Sequence, residues 1–115
     1  MKLIVAIVQP AKLDTIRDAL TKLEVSRMTV TDAQGYGRQK GKTELFRGIE
    51  YGASLIRKVA LEIVVNDDFL DRTLDILRNV ARTGTEGSFG DGKIFVLPVD
   101  DVIQIGSDTR GPEAV

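Results

Sequence analysis

The residues best suited to chemistry fall in three places: GYGRQKGKTELFRG at 35–48, TGTEGSFGDGK at 83–93, and Lys58, which stands at the start of an apolar run. Glycine, lysine and arginine in this mixture suit the gripping of phosphate, because glycine-rich turns expose consecutive amides and the cations neutralise charge. The first stretch nearly spells a P-loop, which needs a glycine, four residues and then Gly-Lys-Thr. Counting back from Gly41, Lys42 and Thr43 puts Tyr36 where that glycine belongs, and LFRGIEYG after it is no convincing helix for a phosphate to cap. The P-loop reading is therefore rejected. In the second stretch GDGK, read alone, is a tight turn before a strand. Lys58 alone reads as a solvated strand end.

Other chemistries are excluded by composition. The 115 residues contain no histidine and no cysteine, which removes the commonest general base, thiolate metal sites and any disulfide framework. With 43% hydrophobic and 29% charged residues and a formal net charge of −1, the chain reads as a single soluble domain, without the basic surface of a nucleic-acid binder. The amino-terminal apolar run, 3–8, is too short for a secretory or membrane-spanning segment, so it reads as a buried strand of a cytoplasmic protein.

The elements that must position these residues follow from periodicity. After the strand at 3–8, Pro10 suits a first helical turn, and Leu13, Ile16, Leu20 and Leu23 recur at helical spacing. Residues 27–36 alternate as a half-buried strand, with Met28 and Val30 against Thr29 and Thr31. A strand through Val59, Leu61, Ile63 and Val65 follows. Asn66, Asp67 and Asp68 then supply caps for a helix with rows Leu70, Leu74, Leu77 and Phe69, Thr73, Ile76, Val80. Loop 83–92, a strand at 93–99 and a short strand at 102–105 complete the chain.

The two halves echo one another: IVQPAKLDTIRDAL at 7–20 lies over VVNDDFLDRTLDIL at 64–77. Two right-handed βαβ units of this length predict an α+β, ferredoxin-like sandwich, an antiparallel sheet with both helices on one face. The other face stays bare in an isolated chain, with either Met28 and Val30 or Ala60 and Val64 wet, which predicts self-association as a closed ring. Between the second and third strands, residues 37–55 form a protruding arm, and an excursion of that length is usually functional.

VTDAQGYGRQKGKTELFRGIEYG, KVALEIVVND and GDGKIFVLPV together resemble the PII signal-transduction family, over residue 1 to about 105. The resemblance implies a non-enzymatic homotrimer that binds ATP, ADP or AMP between subunits. It implies Mg²⁺ and 2-oxoglutarate beside the nucleotide, and a mobile arm (37–55) that docks on a membrane transporter such as an ammonium channel, or on a metabolic enzyme. By matching position, Thr29, Gly35, Gly37, Arg38, Glu62, Val64 and Thr83 line the adenosine side, and Gly90, Asp91, Gly92 and Lys93 the phosphate side. Gln39 and Lys58 match the 2-oxoglutarate pair, Tyr51 the tyrosine that some members have modified, and Arg47 the arginine that plugs a channel. No residue is assigned to catalysis or as a protein metal cluster.

Two departures bear on the ligand. Where the family presents two arginines to the triphosphate, this chain has Gln104 and Gly106. Each charge-assisted bond is worth roughly 1.5–3 kcal/mol, so the loss amounts to about two to four decades of ATP affinity unless Arg82 or Arg110 compensates. Loop 83–92 is also longer than the family's by three residues and carries Glu86. Two readings remain: a nitrogen-status sensor with a rewired nucleotide site, or a PII-like protein reading ADP, AMP or another small ligand. Two other classes on similar topologies lose support. An acylphosphatase-like enzyme needs an arginine after the first strand, where this chain has QPAK, and an RNA module needs aromatics on VAIV and LEIVV.

Overall fold

In the computed structural model, the structure describes residues 1–38, 44–46, 49–51 and 53–115, with side chains over 1–36 and 55–115. Strand β1 (Lys2–Val8) leads through a short 3₁₀ turn at Pro10–Lys12 into helix α1 (Leu13–Lys22). Strand β2 (Thr29–Arg38) runs out into the arm, where β3 (Glu44–Phe46) and β4 (Ile49–Tyr51) pair as a small ladder. Strand β5 (Ala53–Val65) returns, followed by helix α2 (Asp67–Ala81) and strand β6 (Gly92–Pro98).

The main sheet has the order β2-β5-β1-β6, and every neighbouring pair in it is antiparallel. This is the ferredoxin-like double βαβ arrangement expected from the repeated halves. β1 is central and apolar on both faces, one packed under the helices and the other part of the open side of the sheet. Its register places Ile4 opposite Ile63 and Val96, and Ala6 opposite Leu61 and Ile94. Ile4, Ala6, Val8, Val59, Leu61, Ile63 and Val65 all point to one face, where Ile16 and Leu20 of α1 and Leu77 of α2 bury against them. Burying a side chain of this size stabilises the fold by about 1.5–3 kcal/mol.

α1 ends where Glu24 takes a left-handed φ of 66°, letting Glu24 N donate to Thr21 O at 3.0 Å and Val25 N to Leu20 O at 2.9 Å. Those two bonds satisfy carbonyls that a helix end leaves free. α2 carries one buried polar group, Thr73, whose hydroxyl donates to Phe69 O at 2.7 Å.

Two expectations change, and one open choice is decided. Asn66 has extended backbone at the N-cap of α2 but makes no side-chain cap bond; its amide nitrogen instead donates to Pro112 O at 3.1 Å. The segment 102–105 is not a strand, because after Pro98 the chain turns on itself and only Ile103 bridges to Arg110. Val30 faces the helix side of edge strand β2, opposite Leu61, and Met28 packs against the core. The bare face is therefore that of Ala60 and Val64, joined by Leu3, Val5, Ile7, Phe95 and Leu97, of which Phe95 is 50% exposed and Leu97 43%.

Candidate functional site

Strand alternation and register gather most of the candidate residues on the open face. Thr29 of β2 pairs with Glu62 of β5, so the two side chains stand side by side, and Val64 follows two residues on. Ala33 pairs with Lys58 and Gly35 with Ile56, which carries the same face along to the arm. A side chain at Gly35 would touch the Lys58 stem, since its Cβ would lie 3.5 Å from Lys58 Cγ. Lys93 of β6 pairs with Ile7 of β1 on that same face. Gly37 pairs with Ser54 and Arg38 with Ala53 at the base of the arm. Tyr51 is placed as backbone opposite Glu44 in β4, whereas Gln39 and Arg47 lie outside the described residues.

Loop 83–92 closes the end of this face. The Asp91 carboxylate stands at its centre, accepting from Thr83 Oγ1 at 2.6 Å, Thr83 N at 3.0 Å and Ser88 N at 2.7 Å. Gln9 reaches across from the end of β1 and donates its side-chain amide to Asp91 Oδ1 at 3.2 Å. The Thr83 hydroxyl, then the Thr83 and Ser88 amides, hold the Asp91 carboxyl below its ordinary value, and the positive charge of Lys12 adds to this. Gly87 N returns to Thr83 O at 3.0 Å and Asp91 N to Ser88 O at 3.2 Å, so the longer loop forms two successive turns around its own carboxylate. Lys58 Nζ donates to the Gly90 carbonyl, joining β5 to the loop.

Gly92 has no substitute. Its φ is +117°, and a Cβ there would sit 1.8 Å from the Ile7 carbonyl oxygen. The tight turn and the close passage of β6 along β1 both require glycine. Beside it, a groove of about 320 Å³ is lined by Ile7, Arg78, Arg82, Asp91 and Lys93 among others. The arrangement offers cations, amides and an apolar strand face, and among the described residues no cluster of three or more acidic, histidine or cysteine side chains could hold a metal ion.

Arg82 belongs to the loop, with Nη1 3.4 Å from Thr85 O. The Arg110 guanidinium pairs with the Asp101 carboxylate. Gln104 stays within its own turn, accepting from the Ser107 hydroxyl at 3.0 Å while its backbone N pairs with Thr109 O at 3.1 Å. Gln9 is the residue that sequence reasoning missed. Its signal was faint: a polar residue closing β1 immediately before a proline.

A βαβ duplication with an open sheet face, a glycine-rich loop at one end and a long excursion between β2 and β5 defines a ferredoxin-like α+β protein. The comparisons with known proteins say which. The family model "Nitrogen regulatory protein P-II" matches residues 1–109, and the chain belongs to that family. It is 46% identical to nitrogen regulatory protein GlnK1 of Methanosarcina mazei over 115 residues, covering all of this chain and 97% of that protein. It is 47% identical to nitrogen regulatory protein P-II 1 of Escherichia coli K12 and 44% to the P-II protein of Azospirillum brasilense, both over the full length of each chain. Proteins of this family are regulatory signalling proteins and not enzymes. Among the described residues no helix is long and apolar enough to cross a membrane.

Proposed function

We propose that this chain signals nitrogen status by binding an adenine nucleotide between the subunits of a homotrimer and regulating a target through the arm 37–55. The observation that carries the proposal is the gathering of Thr29, Gly35, Lys58, Glu62, Val64 and Lys93 on the open sheet face beside loop 83–92. Adenine pairs with the strand backbone at Val64, phosphate lies toward Thr83, Gly90 and Lys93, and the apolar remainder of the face is covered by neighbouring subunits. Asp91 and Gly92 shape that loop, while Gly37 and Arg38 border the nucleotide at the base of the arm.

The nucleotide favoured is ADP or AMP over ATP. Gln104 and Gly106 supply no guanidinium, and Arg110 is committed to Asp101. 2-Oxoglutarate would meet Lys58, whose ammonium keeps donors beyond the one given to Gly90. Mg²⁺ would be held mostly by ligand oxygens and water, with the Gln39 amide as the protein's contribution, as suits a cation that dehydrates reluctantly. The target is a nitrogen-metabolism protein such as an ammonium channel or an enzyme, with Arg47 docking and Tyr51 as the modifiable residue.

The test is isothermal titration with ATP, ADP and AMP, each with and without 2-oxoglutarate and Mg²⁺. ADP or AMP binding more tightly than ATP supports the reading. Micromolar ATP binding strengthened by 2-oxoglutarate overturns the ligand preference and supports the alternative sensor with full family ligands. No nucleotide heat at all overturns both.

A further inference from the structure

The four donors on Asp91 say more than that the loop is folded. An ionised carboxylate has about four lone-pair sites and no proton to give. Oδ2 receives the Thr83 and Ser88 amides, and Oδ1 receives the Thr83 hydroxyl and the Gln9 amide. Nothing is left with which Asp91 could hold a metal ion or a ligand donor. An anion of this chain already takes two of the loop's amides, those of Thr83 and Ser88.

The next link runs outward. Gly90 adjoins Asp91 in the turn that the carboxylate closes, and its carbonyl accepts from Lys58 Nζ, with Gln9 Nε2 3.5 Å away. Among the described residues Lys58 meets no carboxylate. Its ammonium has three donors, so two remain for the oxygens of an anion.

We propose that Asp91 is a positioning residue: its carboxylate folds loop 83–92 from within, and the folded loop presents its remaining backbone amides to a phosphate-bearing ligand and, through the Gly90 carbonyl, holds the Lys58 ammonium beside it. The ligand meets the backbone of the loop and the lysines, and never the Asp91 side chain. This rests on the nucleotide reading above for the identity of the ligand, but the folding of the loop does not.

Two substitutions separate positioning from contact. Asp91→Asn keeps an oxygen for the Thr83 and Ser88 amides, and its NH₂ donates to the Thr83 hydroxyl and to a rotated Gln9 side chain, so the loop keeps its shape without the charge. Asp91→Ala removes every acceptor. Amide exchange on the ligand-free, full-length protein reads Thr83 and Ser88 directly. Calorimetry with adenosine and with ADP separates a ligand that lacks phosphate from one that carries it.

The expected result is that Asp91→Ala speeds exchange at both amides by at least about tenfold and weakens ADP by about ten- to hundredfold. Adenosine stays within about threefold, and Asp91→Asn stays within about threefold on every measure. The proposal is overturned if Asp91→Asn loses as much ADP affinity as Asp91→Ala, which would mark a contact made by the charge itself. It is equally overturned if adenosine falls as far as ADP, or if exchange does not change. Should the unsubstituted protein bind neither adenosine nor ADP, the nucleotide reading fails on its own and the exchange arm alone decides whether Asp91 positions the loop.

Discussion

Replacing Gly92 by alanine tests the geometry on which both β6 and loop 83–92 depend. The new Cβ would lie 1.8 Å from Ile7 O and 2.9 Å from Ile7 C, where real Cβ atoms keep at least 3.0 Å. A separation of about 1.2 Å must therefore open, and the obstacle is backbone of β1, held in the sheet by β5 on one side and β6 on the other. Opening it costs the ladder rung between Val8 and Gly92 and strains the next, roughly 1 kcal/mol for each bond. The left-handed φ of +117° adds about 1–2 kcal/mol for a residue with a side chain. Together these give a destabilisation of about 3–4 kcal/mol, a large part of a typical stability of roughly 5–15 kcal/mol. Urea denaturation followed by circular dichroism reads it as a midpoint lower by about 1–4 M for a slope of about 1–3 kcal/mol/M. Gly84→Ala is the control, since Gly84 also has positive φ, at +64°, but nothing lies within 4 Å of its Cβ. It should cost only the backbone strain, about 1 kcal/mol. Equal losses in the two variants would refute the claim that close passage of β6 along β1, and not φ alone, fixes Gly92.

Acid should weaken the fold in a particular window. Asp91 and Asp101 have carboxyls held below the ordinary 3.8, by the Thr83 hydroxyl and by Arg110 respectively, so their stabilisation is complete above that value and is lost as pH falls through their lowered values. Denaturation from pH 6 down to pH 2 should show the loss only below about 4, and Asp91→Asn should lessen it, leaving the part carried by Asp101. Thr73→Val should change stability by less than about 1 kcal/mol, because the hydroxyl only adds a second bond to a helical carbonyl, and thermal melts will show it. Arg110→Ala breaks an exposed pair worth at most about 1 kcal/mol. It should leave ADP affinity within about twofold by calorimetry; a tenfold loss would put Arg110 back in the nucleotide site.

The sequence made the core legible because burial leaves a period. Ile16, Leu20 and Leu77 were placed on their helices by spacing alone, and alternation in β1 and β5 told which residues share a face. Once the halves were seen to repeat, the sheet order followed from handedness. Capping was not legible in the same way. Asn66 is a good N-cap type, yet its amide serves Pro112, and no local rule reports a partner 46 residues away. Loop 83–92 could be read as glycine-rich and suited to anions, but composition does not reveal that the anion in residence is Asp91. The expected strand at 102–105 failed because, among the described residues, its apolar Ile103 and Ile105 have no neighbouring strand beyond one bridge from Ile103 to Arg110.

The duplication also explains where these two amide side chains lie. Gln9 and Asn66 occupy equivalent positions in the two halves, each directly after its strand and before its helix. Both have extended backbone at a helical N-cap, and neither side chain caps its own helix. Each amide instead reaches out of its βαβ unit: Gln9 to Asp91 in loop 83–92, Asn66 to Pro112 near the end of the chain. One position in the repeat thus tethers, in both copies, a segment outside its own βαβ unit instead of capping its helix. The two tethers should then act independently. Gln9→Ala should raise amide exchange in 83–92 by about threefold or more and leave 109–115 unchanged, and Asn66→Ala should do the reverse. If Asn66→Ala loosened α2 itself by about 1 kcal/mol, the loss expected of a true cap, the side chain would be capping in solution and the equivalence would fail.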